Sequence, residues 1–270
     1  MEAETSEMQE RKPGVTTMLD ITRILADWEY VPDEVNVRII EGDDRKLKIQ
    51  MRLDLGLLQM EYDGRPDGKR PYGEESYLCY FQNQLQKYIK KNGTDEGFCL
   101  TAEDCVLLQN ESLQYYYRYL SLFHLQEYEA VVRDTARNLE VFDFLKTYAE
   151  DEDDQLLLEQ YRPYVVMMNA RAAAHLRLEK NRPDEAVQLL ENAILQLEAF
   201  FAEFDRPDLA NKSSEILFLR QFAEEIQSRW SANPVRELRE KMMDAVARED
   251  FETAASIRDE IKKLSKKIQG

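Results

Sequence analysis

Histidine and cysteine, the residues that most often bind transition metals, are scarce in this sequence. The two histidines are His124 and His175, and the three cysteines are Cys79, Cys99 and Cys105. No two cysteines have the CxxC spacing of a structural zinc site, so the sequence predicts no bound metal and no cofactor. We interpret the cysteines as buried thiols in a reducing compartment.

Long apolar runs and the common catalytic motifs are also missing. No run is long enough for a membrane span and no signal-peptide core is found, so we expect a cytoplasmic protein without membrane contact. The phosphate-binding pattern GxxxxGK[ST] is absent, as are GxSxG, HExxH and HRD. Because two histidines also leave little room for a catalytic triad, we expect a protein that is not an enzyme.

Basic residues are too few to balance the acidic ones. The chain has 36 lysines and arginines against 53 aspartates and glutamates, a formal net charge of −17. The stretch from Pro234 onward holds nine basic and eight acidic residues, so the rest of the chain carries −18. Since an acidic body repels phosphate backbones, we expect no strong direct binding to nucleic acid.

The N-terminal part changes pattern twice. Residues 1–16 are polar and charged and are predicted to form a disordered tail. Residues 17–100 are predicted to form an α+β module, which begins with a short helix over 17–28. Alternating apolar residues over 35–40 and 47–55 then predict two antiparallel strands with one buried face, and 57–62 can add a third strand. Because a two-stranded ribbon is marginal alone, it must pack on a helix or on another chain.

Glycine and proline, sparse elsewhere, are concentrated in residues 63–73. Arg65, Lys69 and Arg70 make this segment the most basic part of the acidic body. Two interpretations stay open. The segment is either a loop that binds an anion or a partner, or a connector that needs positive backbone angles.

Helical periodicity dominates the chain from Glu74 onward. A first helix runs to Lys91 and is ended by Asn92-Gly93, and Thr101 is placed to cap the next one. Residues 101–230 are predicted to be almost entirely helical, with both histidines as packing or surface residues. The acidic run 150–154 is interpreted as a loop. The final helix, from Lys212, is predicted to turn inward the residues Ile216, Leu217, Leu219, Phe222, Ile226 and Trp230.

Two stretches of this helical body (residues 101–230) match each other. Residues 120–132 correspond to 176–188 at an offset of 56 residues, and each copy has a helix, a short turn and a second helix. This pattern resembles the tetratricopeptide repeat, whose usual period is about 34 residues. We therefore predict a tetratricopeptide-like body with longer helices or an intervening segment. Residues 115–119, rich in tyrosine, are expected in core packing and groove lining, because a helix spreads them around its axis.

The last stretch contains two helical patterns on either side of a turn at residues 248–250. Each pattern places apolar residues three and four positions apart, on one helix face. Asn233 is a suitable N-cap, and the small pair Ala254 and Ala255 permits a close approach of the two backbones. The sequence therefore predicts a helical hairpin over residues 234–268.

This hairpin sequence resembles the UVR motif of UvrB, UvrC and the kinase activator McsA. The matching residues are Met242, Ala245, Val246, Asp250, Phe251, Ala254, Ala255, Arg258, Asp259, Ile261 and Leu264. The resemblance implies a hairpin that docks another protein, often another UVR hairpin, and that has no catalytic residues. The expected protein-binding residues are Leu238, Met242, Ala245, Phe251, Ala254, Ala255, Arg258, Ile261 and Leu264.

The rest of the chain does not follow those three proteins. It lacks the cysteine pairs of McsA, the helicase motifs of UvrB and the nuclease domains of UvrC. It is similar instead, around residues 50–68, to uncharacterised bacterial proteins that carry a UVR motif.

Taken as a whole, the sequence predicts a mainly α (α+β) fold and an interaction protein. The leading hypothesis is a non-catalytic adaptor whose hairpin docks a partner protein, which includes another UVR-motif protein or a second copy of the chain. The alternative is an accessory factor of nucleotide excision repair that acts through UVR pairing. An enzyme with an unrecognised site near residues 63–73 is the third hypothesis.

Overall fold

The computed structural model describes residues 20–231 and 235–268. The predicted tail over 1–16 and the predicted cap Asn233 lie outside these residues. The described chain is mostly helical, with a small antiparallel sheet near its start and a helical hairpin near its end. This architecture confirms the predicted fold class.

The sheet has three antiparallel strands in the order β1-β2-β3. Strand β1 spans Asn36–Glu41, β2 spans Leu47–Leu53 and β3 spans Gly56–Glu61. Gly56 starts β3 directly opposite Leu53, across a two-residue turn. A helix was predicted over residues 17–28. The structure describes this segment from residue 20, and Thr22–Leu25 forms helix α1.

The central strand β2 is buried on both faces, whereas the alternation predicted one buried face. Gln50 is buried because its amide is hydrogen-bonded on both sides. Arg38 Nε donates to Gln50 Oε1 at 2.9 Å, and Gln50 Nε2 donates to Gln59 Oε1 at 2.9 Å. The guanidinium of Arg38 in turn lies 4.1 Å from the centre of the Trp28 ring. A row of satisfied polar side chains therefore covers the second face.

Helix α2, Tyr77–Asn92, ends and helix α3, Ala102–His124, begins at the predicted signals, whereas α2 starts three residues after the predicted Glu74, with Ser76 as its N-cap. Gly93 ends α2 with a φ of 82°, a left-handed conformation that glycine adopts without strain. Thr101 and Asp104 form a reciprocal capping box at the start of α3. These local predictions are confirmed.

The helical body contains two helix pairs of similar form. The first is α3 with α4, Tyr128–Tyr148, and the second is α6, Arg162–Glu179, with α7, Pro183–Glu203. Both pairs turn through a left-handed residue, Gln126 at φ 61° and Asn181 at φ 57°. The hydrogen bonds that close the two turns are equivalent. The turns are one residue closer together than the offset of 56 in the sequence match. The tetratricopeptide-like character of the body stays a prediction.

Two segments of the body differ from their predictions. The acidic run 150–154 is not a loop throughout, because Glu152–Leu156 forms helix α5. Asp151 caps α5, and acidic residues in a first turn interact favourably with the helix dipole. After α8, Pro207–Ala210, helix α9 spans Ser214–Ser231. In α9, Ile216 and Leu219 are fully buried, but Leu217 is 52% exposed because it lies about 100° around the helix from Ile216.

The sheet and the helices share their apolar core. Ile49, Met51 and Met60 from the sheet belong to the larger cluster, with residues of α3, α4, α6, α7 and α9. Helix α2 belongs to a second cluster, with α3, α4 and residues on either side of position 100. The second cluster therefore extends across residue 100, and the domain boundary there stays a prediction.

The cysteines are free thiols, and only one of them is buried as predicted. Cys105 is buried, Cys79 is half-buried and Cys99 is exposed. Burial raises the pKa of the Cys105 thiol to about 11. Cys99 lies between α2 and α3, where the chain is at the surface.

His175 is a packing residue, and its burial makes stability depend on pH. Its ring stacks on Tyr128 at 4.5 Å between centroids, with 5° between the planes. Burial, and then the charge of Arg171, lower the pKa of His175. In the unfolded chain the pKa of histidine is about 6.5. As pH falls below this value, the unfolded chain therefore binds a proton at His175 before the folded chain does, and the free energy of unfolding decreases. 

A His175→Phe variant should lack the contribution of His175 to the pH dependence of stability. We expect the free energy of unfolding to fall less between pH 7 and pH 5 in the variant than in the wild type, because all carboxylates are common to both proteins. Urea unfolding at the two pH values measures the difference. An identical pH dependence in the two proteins would show that His175 is not held neutral.

Candidate functional site

Arg65 of the Gly/Pro-rich segment is buried, so it is not available to an external anion. Its Nε donates to Glu111 Oε2 at 2.7 Å, and its Nη1 donates to Asp67 at 2.6 Å. The prediction of an anion or partner loop therefore stays with Lys69 and Arg70, whose side chains are exposed. Gly64, Gly68 and Gly73 all have positive φ angles, as the connector interpretation requires.

Glu111 is fully buried on α3 and joins three parts of the chain. Besides Arg65, it accepts from the backbone N–H groups of Tyr77 at 2.9 Å and Leu78 at 3.3 Å. These are the first residues of α2, so the carboxylate caps that helix from a distance. Arg137 of α4 also donates to Glu111, and burial together with the charge of Arg65 lowers the pKa of Arg137.

A second buried ion pair lies beside the first. Arg118 of α3 is 1% exposed and makes two parallel hydrogen bonds to Asp134 of α4, at 2.6 and 2.8 Å. Its Nη1 donates to the carbonyl oxygens of Gly64 at 2.7 Å and Glu61 at 3.1 Å. The guanidinium therefore fixes the end of β3 and the following loop to the helical body. Nothing in the sequence pattern singled out Arg118, Glu111 or Asp134.

The C-terminal hairpin consists of α10, Val235–Ala247, and α11, Phe251–Ile268. Glu249, at φ 60°, turns the chain, and the N–H of Asp250 donates to the carbonyl of Ala245 at 2.9 Å. Asp250 caps α11, and hydrogen bonds from Thr253 lower the pKa of its carboxyl. The predicted turn at 248–250 thus lies between the two helices.

The hairpin divides its apolar residues between an inner and an outer surface. Ala245 and Ala254 are buried, so they hold the two helices together. The half-buried residues of the predicted set are Leu238, Met242, Ala255 and Ile261. Phe251 is 67% exposed and Met243 is 70% exposed, with Val246 about half exposed.

Arg258 and Leu264 complete the predicted set. Arg258 is exposed and pairs with its neighbour Asp259 at 2.9 Å. The side chain of Leu264 lies outside the described residues. We call Met243, Val246 and Phe251 the outer apolar patch. Met243 was not among the predicted protein-binding residues, although its position three residues before Val246 places both on one face of α10.

Residues 232–267 match the family model of the UvrB/uvrC motif, UVR. The match covers the hairpin and confirms the resemblance that the sequence pattern indicated. In UvrB and UvrC this motif is known for protein–protein interaction. No curated protein and no solved structure matched the chain.

Within residues 20–231 and 235–268, no three His, Cys, Asp or Glu side chains are grouped so that they could hold a metal ion. Over the same ranges, no helix is both long enough and apolar enough to cross a membrane.

Proposed function

We propose that this protein is a non-catalytic adaptor whose UVR hairpin docks a partner protein through the outer apolar patch. The observation that carries the proposal is the exposure of Phe251 within a sequence that matches the UVR motif. A large aromatic side chain that is two-thirds exposed gains most when a partner covers it. The inner alanines already satisfy the contact between α10 and α11, which leaves the outer patch free for a partner.

The net charge of the hairpin differs from that of the remaining chain. The hairpin is close to neutral, whereas the rest carries −18, so a partner that docks on the hairpin avoids most of the repulsion between acidic surfaces. This argument favours an apolar contact with a protein over a contact with nucleic acid. The helical body then holds a second partner, which makes the whole chain an adaptor.

A role as an accessory factor of nucleotide excision repair is the second candidate. The observation that favours it is the family of the match, since the motif is that of UvrB and UvrC. In this case the partner would itself carry a UVR hairpin, and the two hairpins would pair. A second copy of this chain would satisfy the same chemistry and form a homo-oligomer.

An affinity capture from the native cell tests the proposal. The full chain and a variant without residues 234–270 are compared, and captured proteins are quantified by mass spectrometry. We expect at least one protein to be recovered only with the hairpin. Recovery of UvrA or UvrC supports repair, and recovery of a kinase or protease system supports a regulatory adaptor. The same captured proteins with and without the hairpin would contradict the proposal.

A further inference from the structure

A cavity of about 580 Å³ lies between α3, α4 and the segment that joins α5 to α6. Its volume falls in the range of about 300–1,000 Å³ that is typical of small-molecule sites. Neither the UVR hairpin nor the buried ion pairs contribute to it. Its lining includes Gln109, Ser112, Tyr116, Tyr119, Tyr161 and Tyr164.

Tyrosine rings form much of the cavity wall. The ring of Tyr116 lies 5.6 Å from that of Tyr119, with perpendicular planes, and 6.2 Å from that of Tyr164. Burial, and then the nearby hydroxyls of Tyr164 and Tyr116, raise the pKa of Tyr119, so its hydroxyl stays neutral. Tyr161 is exposed at the rim. Such walls offer aromatic faces and neutral hydroxyl groups to a ligand.

Two polar groups of the cavity have unused hydrogen-bonding capacity. Gln109 Nε2 and Ser112 Oγ are buried and have no hydrogen-bond partner among the described residues. Ser112 is only 5% exposed. A buried donor without a partner is costly, and each such group in a folded protein calls for a physical explanation. Both atoms are shielded from solvent, so these side chains would rotate to donate to an acceptor on a bound molecule.

Charged side chains are absent from the described lining of the cavity. This is unusual in a chain in which 33% of the residues are charged. An ionic ligand would lose its hydration there without gaining a counter-charge, which is unfavourable. The lining therefore selects against anions and cations.

We propose that this cavity binds a compact, uncharged organic molecule with an aromatic or aliphatic body and a hydrogen-bond acceptor that faces Gln109 and Ser112. The tyrosine and leucine side chains bury the apolar body. The two donors fix its orientation. The absence of charge in the lining sets the ligand class.

Prodan, an uncharged naphthyl ketone whose fluorescence reports on polarity and hydrogen bonding, is a suitable probe. The full chain is titrated with prodan and, separately, with anilinonaphthalene sulfonate, which is of similar size but anionic. Three variants are compared with the wild type. Gln109→Leu removes an unpaired donor and breaks no hydrogen bond of that group. Leu157→Trp enlarges a lining residue that is partly exposed, and Gln196→Leu is the matched control on the exposed face of α7.

We expect saturable binding of prodan with a blue-shifted emission, and binding of the sulfonate at least about tenfold weaker. Loss of one hydrogen bond should weaken prodan binding by roughly 3- to 10-fold in Gln109→Leu. Leu157→Trp should weaken binding further, and Gln196→Leu should bind as the wild type does. Circular dichroism confirms that each variant is folded. Absence of saturable prodan binding, equal affinity for the sulfonate, or unchanged affinity in both folded cavity variants would each overturn the proposal.

Discussion

An Asp134→Asn variant should lose about 3–5 kcal/mol of unfolding free energy, because the substitution leaves Arg118 buried without a counter-charge. Arg118 is 1% exposed and donates two of its hydrogen bonds to the Asp134 carboxylate. An asparagine keeps the volume and one acceptor, but its amide nitrogen faces the guanidinium. Urea unfolding of the full chain, followed by far-ultraviolet circular dichroism, measures the loss.

The matched control lies on the same helix. Asp143 also pairs with an arginine, Arg162, at 2.7 Å, but its side chain is 68% exposed. Asp143→Asn should therefore cost only about 0–1 kcal/mol. If the two variants were equally stable, the buried pair would not hold the loop and the helical body together.

Hydrogen exchange can localise the same effect. Arg118 donates to the carbonyls of Glu61 and Gly64, so its displacement frees the loop that follows β3. We expect the amides of residues 61–68 to exchange faster in Asp134→Asn than in Asp143→Asn, even under conditions where both variants are folded. This outcome would assign the stabilisation to the joint between the sheet and the helices.

A Phe251→Asp variant should lose partner binding almost completely while the protein keeps its stability. Phe251 is 67% exposed, and substitutions of exposed residues usually change stability by less than about 0.5 kcal/mol. It is also the first residue of α11, where an acidic side chain interacts favourably with the helix dipole. Substitution of a buried phenylalanine would instead lower the free energy of unfolding by about 3–5 kcal/mol. 

The melting temperature and partner binding together distinguish a Phe251 that docks a partner from one that is packed into the fold. Leu195→Asp is the matched control, because Leu195 on α7 is 63% exposed, close to the value for Phe251, and receives the same charge. We expect similar melting temperatures for the wild type and both variants, and a loss of partner binding in Phe251→Asp alone. A large fall in the melting temperature of Phe251→Asp would mean that this residue packs into the folded chain, and the proposed docking surface would be wrong.

Features that depend on neighbouring residues could be predicted from the sequence. The capping box at Thr101, the left-handed Gly93 and the turn at 248–250 each depend on a few consecutive side chains. The third strand followed from the alternation that resumes after Gly56. The hairpin was predictable because its apolar periodicity and its UVR residues coincide.

Features that depend on distant partners could not be predicted in this way. Glu111 looks like any solvated helix residue until Arg65, Arg137 and the start of α2 are brought to it. The charge of Arg65 is visible in the sequence but its partners are not, so a loop that binds an anion or a partner stayed open beside a connector. Likewise, Gln50 breaks the apolar alternation, yet it is buried because Arg38 and Gln59 satisfy its amide.

The sequence predicted only part of the candidate site, and the rest was missed for a related reason. The UVR residues located the hairpin, but sequence spacing alone did not separate the residues that join α10 to α11 from those that face outward. Val246 shares the resemblance with Ala245, yet it is about half exposed while Ala245 is buried. Met243 lies on the same side as Val246. That division needs the geometry of both helices.

Photo-crosslinking at position 251 tests the central claim most directly. A photoreactive phenylalanine analogue replaces Phe251 in one full-length protein and Leu195 in another, and both are irradiated in the native cell. The outer apolar patch predicts a discrete crosslinked product with another protein, or with a second copy of this chain, from position 251 and none from position 195. No product from position 251, or the same products from both positions, would contradict the account.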